Sequence, residues 1–295
     1  MNFLITGATG FIGKRLAQSL VGQGHHVFIL TRTPAEHTNT ELITFLSYDT
    51  DFNRLPPIAG IVNLAGESLF GYWSGKKKER IRRSRVETTK KLVENIRNME
   101  TKPQVFINGS AVGYYGTSKE LAFSEKTTKP GNDFLSSVVV EWEHAAKEIE
   151  ALGIRTVYAR IGMVLDRKEG SFPLMALPVK LFLGGKIGDG EQWISWVHIE
   201  DAVGLLEYCL LNEDIEGPIN VTAPEPKRNK DFYKLLAAVN NRPYWFPVPA
   251  VLIRMILGEM AILITEGQYV YPKKAEKHGY AFRYPKLRSV LKSLQ

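Results

Sequence analysis

Apolar residues recur along the first half of the chain in short runs, with longer amphipathic stretches between them. Phe3 to Thr6, Val27 to Leu30, Leu42 to Leu46, Gly60 to Leu64, Val105 to Asn108 and Ile154 to Arg160 each read as a short strand. Runs of that length, apolar throughout, suit strands buried on both faces of a parallel sheet. Between the first two, Phe11, Ile12, Leu16, Leu20 and Val21 share one side of a helix. Gly75 to Asn98 is predicted as a long helix with Ile81, Thr88, Leu92 and Ile96 on its apolar stripe, and Asp133 to Leu152 as the next. Strands alternating with helices predict an α/β fold with a doubly wound parallel sheet.

The texture changes after Leu165. Pro173, Pro178, Gly184, Gly185, Gly188 and Gly190 punctuate a loop-rich segment, followed by Trp193, Trp196 and His198. A helix over Glu200 to Leu211 and a strand over Ile219 to Thr222 come next, and Pro224 and Pro226 open a last segment. The expected division is a Rossmann-like domain over 1–165, with 196–223 returning to it, and a smaller substrate lobe from 166–195 and 224–295. The most apolar stretch, Ala250 to Ile264, is too short to span a bilayer and contains Arg254 and Glu259, so it is expected to be a packed helix.

The connection from first strand to first helix reads Thr6-Gly7-Ala8-Thr9-Gly10-Phe11-Ile12-Gly13. Gly7 permits a tight turn, Gly10 lets backbone amides approach a pyrophosphate, and Gly13 lets the helix pack close to the sheet. The free amides and partial positive charge of a helix N-terminus complete an anion site. A strand, glycine loop and helix in this order predict a dinucleotide site. The second strand ends in Thr31-Arg32, where an NAD site would place an acidic residue. A guanidinium there suits a 2′-phosphate, so NADP is expected over NAD; otherwise Arg32 is a solvated strand-end charge.

The chain of 295 residues carries a net charge of +7 and one cysteine, Cys209. That excludes an internal disulfide and fits a reducing, cytoplasmic setting with no leader segment. The positive charge suits anionic ligands. The basic run at the start of the long helix, Lys76 to Arg85, reads mainly as a solvated face, since no nucleic-acid module accompanies it. Arg85 differs because it falls on the apolar stripe. An inward arginine needs a partner, either a cofactor group or a protein carboxylate. After the fourth strand, the small residues of Asn63-Leu64-Ala65-Gly66-Glu67 leave room for a ligand at the sheet's carboxyl edge.

Taken together, these residues resemble the extended short-chain dehydrogenase/reductases of the NAD(P)-dependent epimerase/dehydratase superfamily. The glycine loop matches the TGxxGxxG motif, 63–66 the strand-four motif, and Trp196 to Asp201 a later HxxD segment. Asn63 to Glu67, Ser84-Arg85, Ser110 to Gly116, Trp142-Glu143, the run from Ile187 through Gln192, and the tail motifs at 247–250, 257–259 and 266–268 are similar to the YfcH-like epimerase subgroup. The resemblance implies an NADP-type site contacted by Thr31, Arg32, Leu64, Ala65, Gly66, Glu67, Arg85 and Met163, besides the glycine loop. It implies Ser110 as the residue that orients a substrate oxygen. The substrate would be a small molecule, a sugar nucleotide or a carbonyl compound, with no membrane or specific nucleic-acid role and with a homodimer left open.

The superfamily's tyrosine and lysine, spaced YxxxK on the helix about 25 residues past the serine, are missing. That place holds Phe134-Leu135 within DFLSSVVVEWE. Tyr115 to Lys119 satisfies the spacing literally but follows Ser110 too closely. Two readings follow: an NADP-dependent oxidoreductase or epimerase using nonstandard residues, with Tyr114, Tyr115 or a water handling the proton, or a pseudoenzyme that holds NADP(H) as a structural or redox-sensing ligand. His198 is expected to make a structural hydrogen bond, and the tryptophans to pack.

Overall fold

The structure is a computed structural model describing residues 1–295. Seven strands form the central sheet: β1 (Asn2–Thr6), β2 (His26–Leu30), β3 (Ile43–Leu46), β4 (Gly60–Asn63), β5 (Val105–Ala111), β7 (Arg155–Ile161) and β11 (Gly217–Val221). Two-residue β6 (Ala122–Phe123) lies outside it, as do β8 (Met163–Leu165), β9 (Trp193–Ile194), β10 (Trp196–His198), β12 (Lys227–Arg228) and β13 (Tyr269–Val270). The central order is β11-β7-β5-β4-β1-β2-β3, and every neighbouring pair is parallel. The order reverses between β1 and β4, so their carboxyl ends flank a crevice, the usual ligand position in such sheets.

Alternation along the strands builds both faces. Phe3, Ile5, Ile29 and Val62 join Leu16 and Leu20 of α1 (Phe11–Gly22) and Leu205 and Leu206 of α5 (Ile199–Leu211). Leu4, Phe28, Ile61 and Phe106 point the other way. They meet Leu92, Val93 and Ile96 of α2 (Gly75–Asn98) and Ala146 of α3 (Phe134–Ala146). Capping sets the helix starts: the Ser74 and Asp133 side chains accept from the Lys77 and Ser136 amides at α2 and α3.

A second core joins α4 (Phe172–Lys180), α6 (Asn229–Val239) and the C-terminal residues around Leu291 through Phe172, Trp196, Phe232 and Leu236. The expected packed helix over 250–264 is instead broken. α7 (Ala250–Leu257) stops at Gly258, whose φ is 57°, a short 3₁₀ turn follows, and α8 (Ile262–Thr265) resumes. No residue of α7 is buried. The remaining helices are α9 (Lys273–Lys277) and α10 (Leu287–Ser293). No helix is long and apolar enough to cross a membrane.

Candidate cofactor and active site

The glycine loop is shaped by close backbone approach. Gly7 has φ 70°, and a Cβ there would lie 2.5 Å from the Leu64 carbonyl oxygen. A Cβ on Gly13 would meet the Gly7 carbonyl oxygen at 2.4 Å, so α1 seats directly on the loop. The Leu64 amide donates to the Thr6 carbonyl at 3.1 Å, and the Ala65 amide donates to Thr6 Oγ1 at 3.2 Å. The two loops predicted to hold one ligand are therefore locked side by side. Gly10 begins α1 without a side-chain cap, and no acidic residue lies in the first turn. As first-turn amides, those of Phe11 and Ile12 have no helical acceptor, and they adjoin exposed Thr9 and Gly10 with no acidic side chain in the turn to compete for them. This donor set fits a pyrophosphate.

At the tip of β2, Thr31 is buried and Arg32 is exposed with no carboxylate in ion-pair range. Arg85 is not the half of a protein salt bridge. Its Nη1 donates to the carbonyls of Ile81 at 2.9 Å and Glu67 at 3.2 Å, and its guanidinium lies 5.3 Å from the Trp142 ring. A Cβ on Gly66 would come within 2.9 Å of that guanidinium, so the Arg85 side chain lies directly over the 64–67 turn. Burial pushes the Arg85 pKa down to about 10 despite the field of Glu67. A half-buried positive charge with only carbonyl partners leaves capacity for an anion. Met163, half-buried in β8, follows β7 at the same carboxyl edge of the sheet.

Of the other cations of the α2 run, all but Lys76 are paired with carboxylates. Lys77 and Arg80 meet Glu67, Lys78 meets Glu259, Arg82 meets Glu141 and Arg83 meets Glu87. The buried stripe on this helix runs through Thr89 rather than Thr88. Thr89 Oγ1 accepts from Trp142 Nε1 at 3.0 Å and from Asn63 Nδ2 at 2.7 Å.

A family model described as "NAD dependent epimerase/dehydratase family" matches residues 3–222. The chain belongs to the NAD dependent epimerase/dehydratase family. A second model, a domain of unknown function (DUF1731), matches residues 248–294. Epimerase family protein YfhF of Bacillus subtilis is 45% identical over all of this chain and 98% of its own length. Epimerase family protein SSP1921 of Staphylococcus saprophyticus is 38% identical over 99% of each chain. Among solved structures, human epimerase family protein SDR39U1 with NADPH superposes with a TM-score of 0.90, is 31% identical, and is matched over 99% of its length by the whole of this chain. A UDP-glucuronic acid 4-epimerase from Bacillus cereus with NAD shares the fold, with a TM-score of 0.76 and 20% identity.

Where this epimerase-family chain departs from the superfamily is now visible in space. A Cβ on Gly113, in the loop after Ser110, would lie 3.6 Å from Leu135 and 3.9 Å from Val139. These residues, four apart on one face of α3, put aliphatic groups where a tyrosine and lysine were expected. Leu135 also borders a cavity of about 310 Å³ lined with Trp73, Asp133, Phe134, Glu259 and Ile262.

Ser110 lies on β5 itself rather than in the loop, buried, and its Oγ donates to Glu143 Oε1 at 2.6 Å. Arg160 grips the same carboxylate with Nε at 2.8 Å and Nη2 at 2.9 Å. Glu143 was noted in the sequence only as part of a motif, and Arg160 only as a strand end. The literal YxxxK does not form a pair. The Tyr115 hydroxyl is buried, donating to Asn220 Oδ1 at 2.8 Å and accepting from Arg160 Nη1 at 3.0 Å, while Lys119 ion-pairs with Asp189. Burial pushes the Tyr115 pKa up to about 12, and its hydroxyl is committed to Asn220 and Arg160, an arrangement that does not favour proton transfer at Tyr115. Tyr114 packs its ring 3.4 Å from the Arg160 guanidinium, with its hydroxyl donating to the Thr128 carbonyl. His198 caps α5, its Nδ1 accepting from the Glu200 amide at 3.2 Å, and Trp196 is fully buried.

Proposed function

We propose that this protein binds NADP(H) across the β1/β4 crevice and acts on a small carbonyl or alcohol substrate as an oxidoreductase or epimerase without a Tyr–Lys pair. The observation that carries the cofactor reading is Arg32: a free guanidinium at the β2 tip, where a carboxylate would select NAD. The NADPH of the human relative supports the same choice. Thr31, Arg32 and Arg85 would hold the adenosine and phosphate side, the glycine loop the pyrophosphate, and Leu64 to Glu67 with Met163 the remaining walls. When bound, the nicotinamide supplies hydride chemistry.

The chain's own contribution is the handling of a proton at Ser110. Its hydroxyl hydrogen is committed to Glu143, so Oγ presents lone pairs and accepts a hydrogen bond from a substrate hydroxyl. As that proton transfers to Oγ, the serine proton passes to Glu143, and the reverse direction returns both. The cavity beside Leu135 suits an apolar portion of the substrate. The second reading, an NADP(H)-holding pseudoenzyme, is favoured by Leu135 and Val139, which can exchange no proton.

Calorimetry tests the cofactor assignment. NADPH should bind more tightly than NADH, and Arg32→Ala should weaken NADPH by about tenfold, as loss of a charged hydrogen bond implies, and leave NADH unchanged. Equal affinities for the two dinucleotides would overturn it. A panel of carbonyls, alcohols and sugar nucleotides followed at the nicotinamide absorbance decides between the readings. Turnover lost in Ser110→Ala supports the enzyme, and silence with tight NADPH binding supports the pseudoenzyme.

A further inference from the structure

Of the sixteen large apolar side chains exposed on the molecule, eleven fall in two stretches, 174–183 and 245–256. Leu177 and Leu181 near the end of α4, Phe182, Trp245, and Met255 and Ile256 of α7 all stand in solvent, the last two at 75% exposure. The backbone holds them together. The Trp245 and Phe246 amides donate to the Gly184 carbonyl at 2.9 and 3.0 Å, and Trp245 Nε1 donates to the Phe182 carbonyl at 2.9 Å. The Gly188 amide donates to the Val248 carbonyl at 2.8 Å, and a Cβ built on Gly188 would lie 3.3 Å from that of Ala250, so the start of α7 lies beside the same unit. Phe182 adopts φ 65°, a left-handed conformation uncommon for an aromatic residue, and its side chain nevertheless points outward. Monomeric soluble proteins rarely leave so continuous an apolar surface uncovered.

The charge pattern selects what covers it. Residues 171–188 and 240–257 together contain Lys180, Lys186, Arg242 and Arg254 and not one Asp or Glu. Arg254 reaches outside the face to Glu266, while Lys180, Lys186 and Arg242 have no carboxylate in ion-pair range. Arg242 instead stacks its guanidinium 4.3 Å from the Phe182 ring. Indole, phenyl and aliphatic groups interleaved with unpaired cations match the boundary between acyl chains and anionic headgroups. A two-fold self-association would set this cationic patch against its own copy, which like-charge repulsion opposes.

We propose that the α4–α7 face docks peripherally onto an anionic bilayer surface, with Trp245, Met255 and Ile256 inserted at the headgroup level and Lys180, Lys186 and Arg242 on the phosphates. This inference is independent of the cofactor assignment. The test is flotation of the full chain with phosphatidylcholine vesicles, with and without phosphatidylglycerol, at low and high salt. Binding should require phosphatidylglycerol and weaken with salt. It should be lost in Met255→Asp/Ile256→Asp and fall about tenfold or more in Arg242→Glu, given the worth of each surface cation. These positions are exposed, so circular dichroism and melting temperature should match the wild type and confirm folding. No flotation, equal binding to neutral vesicles, or a dimer in sedimentation velocity that the Met255→Asp/Ile256→Asp variant dissociates would each overturn the proposal.

Discussion

Ser110 and Arg160 are register partners on β5 and β7, and both side chains reach one carboxylate, Glu143 of α3, at 2.6 and 2.8 Å. Sheet pairing therefore fixes two of the three groups, and the helix packed above supplies the third. Arg160 is buried against Glu143 on one side and the Tyr115 hydroxyl on the other.

Breaking that pair strands a buried cation. Glu143→Gln keeps the shape but removes the charge, and should cost about 3–5 kcal/mol, the usual penalty for an unpaired buried partner. Thermal denaturation followed by circular dichroism should show a drop of several degrees; an unchanged midpoint would show that water reaches Arg160.

Gly7 is constrained twice, by its φ of 70° and by the Leu64 carbonyl 2.5 Å from where a Cβ would sit. Gly7→Ala should lose at least roughly 1–3 kcal/mol of stability. It should also abolish dinucleotide binding, because relief of the clash separates the two loops that form the crevice. Urea denaturation and calorimetry on one preparation check both; wild-type affinity in the variant contradicts the loop geometry.

Arg85 offers a sharper division between ligand contact and scaffold. Its guanidinium already anchors the Glu67 carbonyl, yet faces no carboxylate within ion-pair distance. Arg85→Met retains the packing on Trp142 and removes the charge. NADPH affinity should fall by about tenfold, with the melting temperature of the unliganded protein shifting far less. A large loss of melting temperature at full affinity would assign Arg85 to holding the 64–67 turn alone.

His198 gives the fold an acid-sensitive cap. Burial lowers its pKa below 6.5, and its neutral Nδ1 accepts the Glu200 amide that begins α5. The unfolded chain thus binds the proton more readily than the folded one. The stabilisation is fully present above about pH 6.5 and is lost as pH falls through the lower folded value. His198→Asn, which can still cap, should flatten the melting-temperature profile between pH 7 and 5 relative to wild type. Parallel profiles for the two proteins would remove His198 from the account. His25, the other histidine pushed downward, sits beside the Met1 amino group and is common to both.

Much of this architecture is encoded over short distances. The apolar runs and helical stripes specify the strand–helix alternation, and α2 spans Gly75–Asn98 as its pattern predicts, because side-chain period and caps act within a few residues. The glycine loop and the missing acid at Arg32 are equally local, so the features on which the proposed cofactor site rests are readable before folding. The carboxylate that Ser110 and Arg160 share is not, since Glu143 lies 33 residues from the first and 17 from the second and meets them only through sheet register and helix packing. Burial likewise could not be read from Tyr115 itself: its spacing to Lys119 mimics a catalytic pair, and only the neighbouring strands turn its hydroxyl toward Asn220. The stretch after Ala250 shows the same limit from the other side. Its apolar content suggested an interior helix, but the positive-φ Gly258 breaks it, and the lobe's core is filled mainly by other residues, leaving most of α7 exposed with only Ile253 and Leu257 half-buried against the cores. Local sequence determined which elements form and where an anion can sit; tertiary packing decided which polar groups meet and which apolar ones stay outside, because those outcomes depend on contacts between distant segments.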